Sequence, residues 1–238
     1  MRVTANTNLI RRRGRLGMIV SLIGIGVLGV GMVVSLTAQN QPQLVWVPLV
    51  ALIIGFLMAQ LGSYNLRRWG RSPRPDQLLE EGLKGFDDRY HFYVWSLPAP
   101  YVLLTPNGVY TFVTRDQTGA VSVTGATWQT KFSLRRLLLL FAQEGLGNPT
   151  EEARAQASHL QDWIRTRLPE VGVVVQPAIV FIDPRVQLEV TEPVVPVLEP
   201  KGLKKWLRGA GKGDLLKPAD FKALEALFDQ TAATARQR

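Results

Sequence analysis

The residues able to do chemistry in this chain are few and scattered. His91 and His159 are its only histidines, and cysteine is absent, which excludes disulfides, thiolate nucleophiles and thiolate metal sites. The two histidines lie far apart in sequence, and each reads as a structural or surface residue. Acid and base side chains that could share a divalent cation or move a proton stand close together at Glu80 and Glu81 with Lys84, at Asp87 with Arg89, and at Arg115 with Asp116. No G-x-S-x-G nucleophile turn occurs. Gly24-Ile25-Gly26-Val27-Leu28-Gly29 matches the letters of a dinucleotide loop. That loop needs a strand before it and an acid about 20 residues on, whereas the first acid here is Asp76. Gly209-Ala210-Gly211-Lys212-Gly213-Asp214 lacks the phosphate-loop spacing and reads as a linker. Lys201, Lys204, Lys205, Arg208 and Lys212, with Trp206 among them, form a basic helix. Such a helix is a solvated face, a contact for anionic lipid, or a contact for a nucleic-acid backbone.

The placing of charge decides what must position these residues. The first 75 residues hold nine arginines and no acid, and the rest balances 19 Lys and Arg against 19 Asp and Glu. The whole net charge of +9 therefore sits in the first third. Residues 16–36 and 44–61 are uncharged apolar runs, each long enough to cross a bilayer core of about 30 Å. The link 38–43 is polar and uncharged, so the two runs predict a transmembrane hairpin over 16–64. Arg11, Arg12, Arg13 and Arg15 precede the first span; Arg67, Arg68, Arg71 and Arg74 follow the second. Under the positive-inside rule both ends face the cytoplasm, with the protein in the cell inner membrane. A second span directly after the first disfavours a cleaved signal peptide. Gly17-x-x-x-Ser21 and Gly31-x-x-x-Ser35 would let helix backbones approach, within the hairpin or between copies in a homo-oligomer. On this reading 1–15 is a basic cytoplasmic N-terminus and 65–75 a basic linker.

The remainder is enough for one core. Residues 76–86 have helical spacing, and 90–97, 101–104, 109–114 and 120–123 read as strands of an antiparallel meander. Thr105-Pro106-Asn107-Gly108 is a turn signal between two of them. Asn148-Pro149-Thr150 opens a helix whose first turn carries Glu151 and Glu152. Strands at 171–182 and 187–198 follow, then a helix over 201–208 and a Gly-rich linker. The last helix, 218–235, has Phe221, Leu224 and Phe228 on one face, and 209–238 is a Gly-rich linker with this C-terminal helix. Residues 134–141, Leu-Arg-Arg followed by four leucines and Phe141, are core or a membrane-facing amphipathic segment. The order predicts an α+β domain, a mixed sheet flanked by helices.

The run Tyr101-Val102-Leu103-Leu104-Thr105-Pro106-Asn107-Gly108-Val109-Tyr110, followed by Gly119, Trp128, Asn148-Pro149 and the strand ending in Asp183, resembles the NERD (nuclease-related) domain. The resemblance covers 76–208. It implies the restriction-endonuclease-like fold of the PD-(D/E)-x-K superfamily, with carboxylates holding Mg²⁺ or Mn²⁺. The family's chemical positions are replaced here. Its Asp falls on Pro100, its His on Tyr101, its Glu on Val113 and its Lys on Arg115. Proline and valine offer a hard cation no side-chain ligand, and arginine does not act as a base. Glu81, Arg115 and Asp116 remain as remnants. The reading is a membrane-anchored pseudoenzyme without a cofactor, a binding or scaffolding module with the sheet face around Arg115 as its contact surface. One alternative is a membrane-tethered, metal-dependent nuclease with a rearranged site. The other is a structural subunit of a membrane complex, in which the hairpin or the Phe221 and Phe228 face packs on a protein partner.

Overall fold

The computed structural model describes residues 1–37, 46–70, 72–130, 146–210 and 215–237. They form two compact units, one of which holds Met1–Thr7 together with everything described after Pro75, and the other Asn8–Arg74.

The second unit is a helix pair. Helix α1 (Thr7–Thr37) is about 46 Å long at 1.5 Å per residue, and α2 (Trp46–Asn65) continues into a π-helical turn at Leu66–Gly70. Both are long and apolar enough to cross a membrane. A buried core helix of a soluble protein would pass the same test, but only 11% and 17% of the two apolar windows are covered. Among the described residues, all but four of the exposed large hydrophobic side chains lie on these two helices. Their mutual seam is built from small residues. Gly17 meets Asn65 and Leu66, Gly24 meets Gly55, Met58 and Ala59, and Gly31 meets Ala51. A Cβ on Gly31 would lie 2.6 Å from the Cβ of Ala51. The glycine motifs thus serve close approach of the two helix backbones within the pair. Helix α1 also starts nine residues before the predicted span, so Arg11, Arg12, Arg13 and Arg15 are helical.

The other unit is α+β with a mixed sheet. Its first strand was not legible: β1 (Arg2–Ala5) comes from the segment expected to be a basic arm. It pairs in parallel with β2 (His91–Val94), Arg2 opposite His91. Four residues are too few for period-two alternation to stand out beside an arginine-rich helix. Strands β2, β3 (Tyr101–Thr105) and β4 (Gly108–Arg115) form the expected meander, turning at Gly108, whose φ of +150° suits glycine. The chain then leaves this sheet. Gly119, at φ +82°, redirects β5 (Gly119–Thr124) into a three-stranded sheet with β6 (Thr127–Thr130) and β8 (Val186–Thr191). Residues 120–123 therefore do not extend the meander. Helix α4 (Pro149–Arg167) makes the crossover to β7 (Val175–Phe181), which lies parallel to β4. The region 187–198 divides between sheets at Glu192, Pro193 and Pro196. Its end, β9 (Val197–Leu198), returns to the edge of the six-stranded sheet in the order β1-β2-β3-β4-β7-β9.

Helices cover both faces. Helix α3 (Pro75–Gly82) and α5 (Pro200–Ala210) stack on each other, and Trp206 sits edge-on to Tyr110 at 5.5 Å. On the opposite face α4 and α6 (Pro218–Gln237) bury Ala157, Leu160, Leu224 and Phe228 against Tyr93, Val102 and Val109. The final helix is thus part of the core, its Leu224–Phe228–Ala232 stripe packed on the sheet.

Candidate functional site

Alternation along β4 sends Val109, Thr111, Val113 and Arg115 towards α4, and Tyr110 and Phe112 to the other face. Val113, at the family's Glu position, is 2% exposed in a cluster with Ala153, Ile179 and Phe181. Arg115, at its Lys position, keeps 12% of its side chain exposed. Its Nη2 donates to Glu152 Oε2 at 2.5 Å, and its Nη1 to the Thr114 carbonyl at 3.3 Å. Gln156 Nε2 donates to the other oxygen of Glu152 at 3.1 Å. The start of α4 holds Glu152 there: the Asn148 side chain accepts from the Glu151 amide and Pro149 occupies the first turn, where the helix dipole favours both acids. From the small sheet, Trp128 Nε1 donates to Thr150 Oγ1 at 2.8 Å. Three buried polar atoms in this layer, Thr111 Oγ1, Arg115 Nε and Gln156 Oε1, form no hydrogen bond among the described residues.

The other family positions do not join them. Pro100 is half-buried at the end of the β2–β3 connection, where its carbonyl accepts from the Trp95 amide at 2.7 Å, and Tyr101 is buried. Glu81 is exposed on α3 and lines a groove of about 480 Å³ with Met1, Val3, Gln77, Glu80 and Lys84. Asp116 is half-exposed beyond the end of β4. Asp183, brought near by the Ile182 amide bonding to the Arg115 carbonyl at 2.8 Å, chelates the Arg185 guanidinium at 2.7 and 2.9 Å. Among the described residues no three His, Asp or Glu side chains gather as a metal site. The residues present do not fit the divalent metal that the resemblance implies. The sheet face around Arg115 is the expected contact surface. That sheet face lies under α4, because Ala153 and Ala157 let the helix settle directly on the strands.

The structure assembles a polar cluster that spacing did not reveal. The Arg2 guanidinium pairs with Asp229 and, at 3.6 Å, with Glu225. Tyr93 donates to Asp229 at 2.8 Å, and burial pushes its phenol above the usual range. His91, buried beneath Phe221, places Nε2 2.8 Å from the Asp88 carbonyl and Nδ1 3.4 Å from Glu225. Asn6 Nδ2 donates to the Ala235 carbonyl at 2.9 Å, and Arg236 Nε to that of Ala5 at 3.2 Å. Together these clasp β1 to α6. The acids at 225 and 229, one turn apart beside the Leu224–Phe228 stripe, are the signal in the sequence, but nothing there names Arg2 as their partner. Exposed His159 takes no part.

The basic helix divides its charges. Lys204 Nζ donates to the Lys84 carbonyl at 3.0 Å and lies 6.0 Å from the Phe86 ring, Trp206 is held on Tyr110, and Lys201, Lys205 and Arg208 are exposed. Of the arginines after the second apolar helix, Arg68 donates to Tyr64 at 2.8 Å and Arg74 is half-buried. Arg71, Lys212 and the 134–141 segment lie outside the described residues, as does the side chain of Arg67. Compared with protein-family models, curated proteins and solved structures, the chain matches none.

Proposed function

We propose that this chain is a membrane-anchored, nuclease-related protein whose restriction-endonuclease-like domain binds or scaffolds without cleaving. One observation carries the absence of cleavage. At the end of β4, where the family's metal and base stand, Val113 is core and Arg115 is consumed by Glu152. A neutral paired arginine site under a helix cannot polarise water. The order helix, three-stranded meander, helix, parallel strand supports the kinship to the NERD domain that the sequence suggests.

The topology follows from the same reading. Strand β1 precedes the first apolar helix, yet lies in the sheet formed after the second. An even number of crossings satisfies that pairing, which favours both flanks of the hairpin on the domain's side, and the arginines favour that side being cytoplasmic. Binding surfaces on a domain so held face the lipid bilayer, a protein partner or nucleic acid.

The test uses the full chain in detergent, because residues 2–5 belong to the sheet. Incubated with labelled single- and double-stranded DNA and Mg²⁺ or Mn²⁺, it leaves both intact. Metal-dependent cleavage that disappears when one carboxylate is replaced would overturn the reading in favour of a nuclease with a rearranged site.

A further inference from the structure

Helix α1 presents two opposite stripes. Gly14, Gly17, Gly24 and Gly31 form the seam against the second helix and its π-turn. Asn8, Arg11, Arg12, Arg15, Leu16 and Ile19 line a surface concavity of about 260 Å³. At 100° per residue the centres of these stripes stand roughly half a turn apart, so the concavity faces away from α2. Three guanidinium groups share it within two helical turns, spaced so that they repel one another. All three side chains are exposed, and none has an ion pair or hydrogen bond among the described residues. No acid precedes Asp76 to neutralise them.

We propose that this concavity is a binding site for the phosphate of an anionic phospholipid, resting on the reading that α1 spans a membrane. The order along the helix matches an amphiphile. Arg11, Arg12 and Arg15 come first, and Leu16 and Ile19 follow within about 10 Å, where the apolar run begins. Guanidinium forks bind phosphate oxygens in pairs, and the aliphatic side chains offer contact to the first part of an acyl chain. The ligand also removes the repulsion among the arginines.

The full chain is placed in nanodiscs of phosphatidylcholine that carry a trace of spin-labelled phosphatidylglycerol or spin-labelled phosphatidylcholine, and the immobilised fraction of each is read by electron paramagnetic resonance. Phosphatidylglycerol is preferred. Each cation near an anionic surface shifts binding about fivefold, so Arg12→Ala with Arg15→Ala lowers the preference on the order of twentyfold. Arg12→Lys with Arg15→Lys keeps the charge that orients the span, yet loses part of the preference with the paired hydrogen bonds. Arg13→Ala, outside the concavity, loses only the general charge effect of one cation, whereas Arg12→Ala or Arg15→Ala alone loses more, because each also removes guanidinium contacts to the phosphate. Equal immobilisation of the two lipids, or a preference indifferent to Arg12 and Arg15, overturns the site. So does release of the lipid by millimolar inorganic phosphate, which assigns the arginines to a free anion. A chain that never enters the discs refutes the membrane reading itself, a separate outcome.

Discussion

Substituting a seam glycine and an outward glycine of the hairpin separates packing from helix propensity. A Cβ on Gly62 would lie 2.8 Å from the amide nitrogen of Ser21 and 2.9 Å from its Cα. These are backbone atoms and cannot rotate away, so Gly62→Ala must push the helices apart. Overpacking of this kind costs about 1–3 kcal/mol. Alanine also favours a helix over glycine by about 1 kcal/mol, an opposing effect. Gly26→Ala carries the same propensity gain, but its Cβ would meet nothing within 4 Å. The gain cancels in the comparison, so Gly62→Ala should be less stable than Gly26→Ala by about 1–3 kcal/mol. The assay is reversible unfolding of the full chain in mixed micelles by SDS titration, followed by a fluorophore on the hairpin. Equal stability of the two variants, or a greater loss at Gly26, would refute the seam.

Other consequences concern the domain. Phe228→Ala removes a fully buried ring that meets Tyr93 edge-on at 5.4 Å, and should cost about 3–5 kcal/mol in urea unfolding. A loss below about 1 kcal/mol would mean that α6 is not core. The Tyr93 phenol is raised by burial and by its bond to Asp229, so the folded state resists its ionisation. Its contribution is intact below the unfolded value of about pH 10 and is lost as pH rises above it. The urea midpoint should fall there, with a smaller fall in Tyr93→Phe; identical profiles contradict the assignment. Asp229→Ala removes the Tyr93 acceptor and leaves Arg2 only its longer pair with Glu225, so amide exchange in β1 should quicken more than in β3. Uniform change across the sheet would argue against a clasp.

Much of this architecture was readable because its signals are local. Asn148-Pro149 with two acids marks the start of α4, and Thr105 to Gly108 marks the β3–β4 turn. The two apolar runs needed only length and charge. What escaped depends on partners distant in the chain. Strand β1 is four residues whose pairing with His91–Val94 spans the whole hairpin, and its clasp joins Arg2 to Asp229. The departure of β5 from the meander follows from its parallel partner β8, which no spacing within 101–123 foretells. At the candidate site, the identities at Pro100, Val113 and Arg115 were plain. That Glu152 would reach Arg115 required the register of α4 on β4.

Side-selective labelling tests the central claim most directly, that the chain leaves the domain's sheet, crosses, and returns to it. Cysteine is absent, so single substitutions report cleanly. An impermeant maleimide added to intact spheroplasts should label Asn40→Cys, between the spans. It should label Thr127→Cys, exposed in the domain, only after lysis. Labelling of Thr127→Cys from outside, or protection of Asn40→Cys until lysis, would contradict the account.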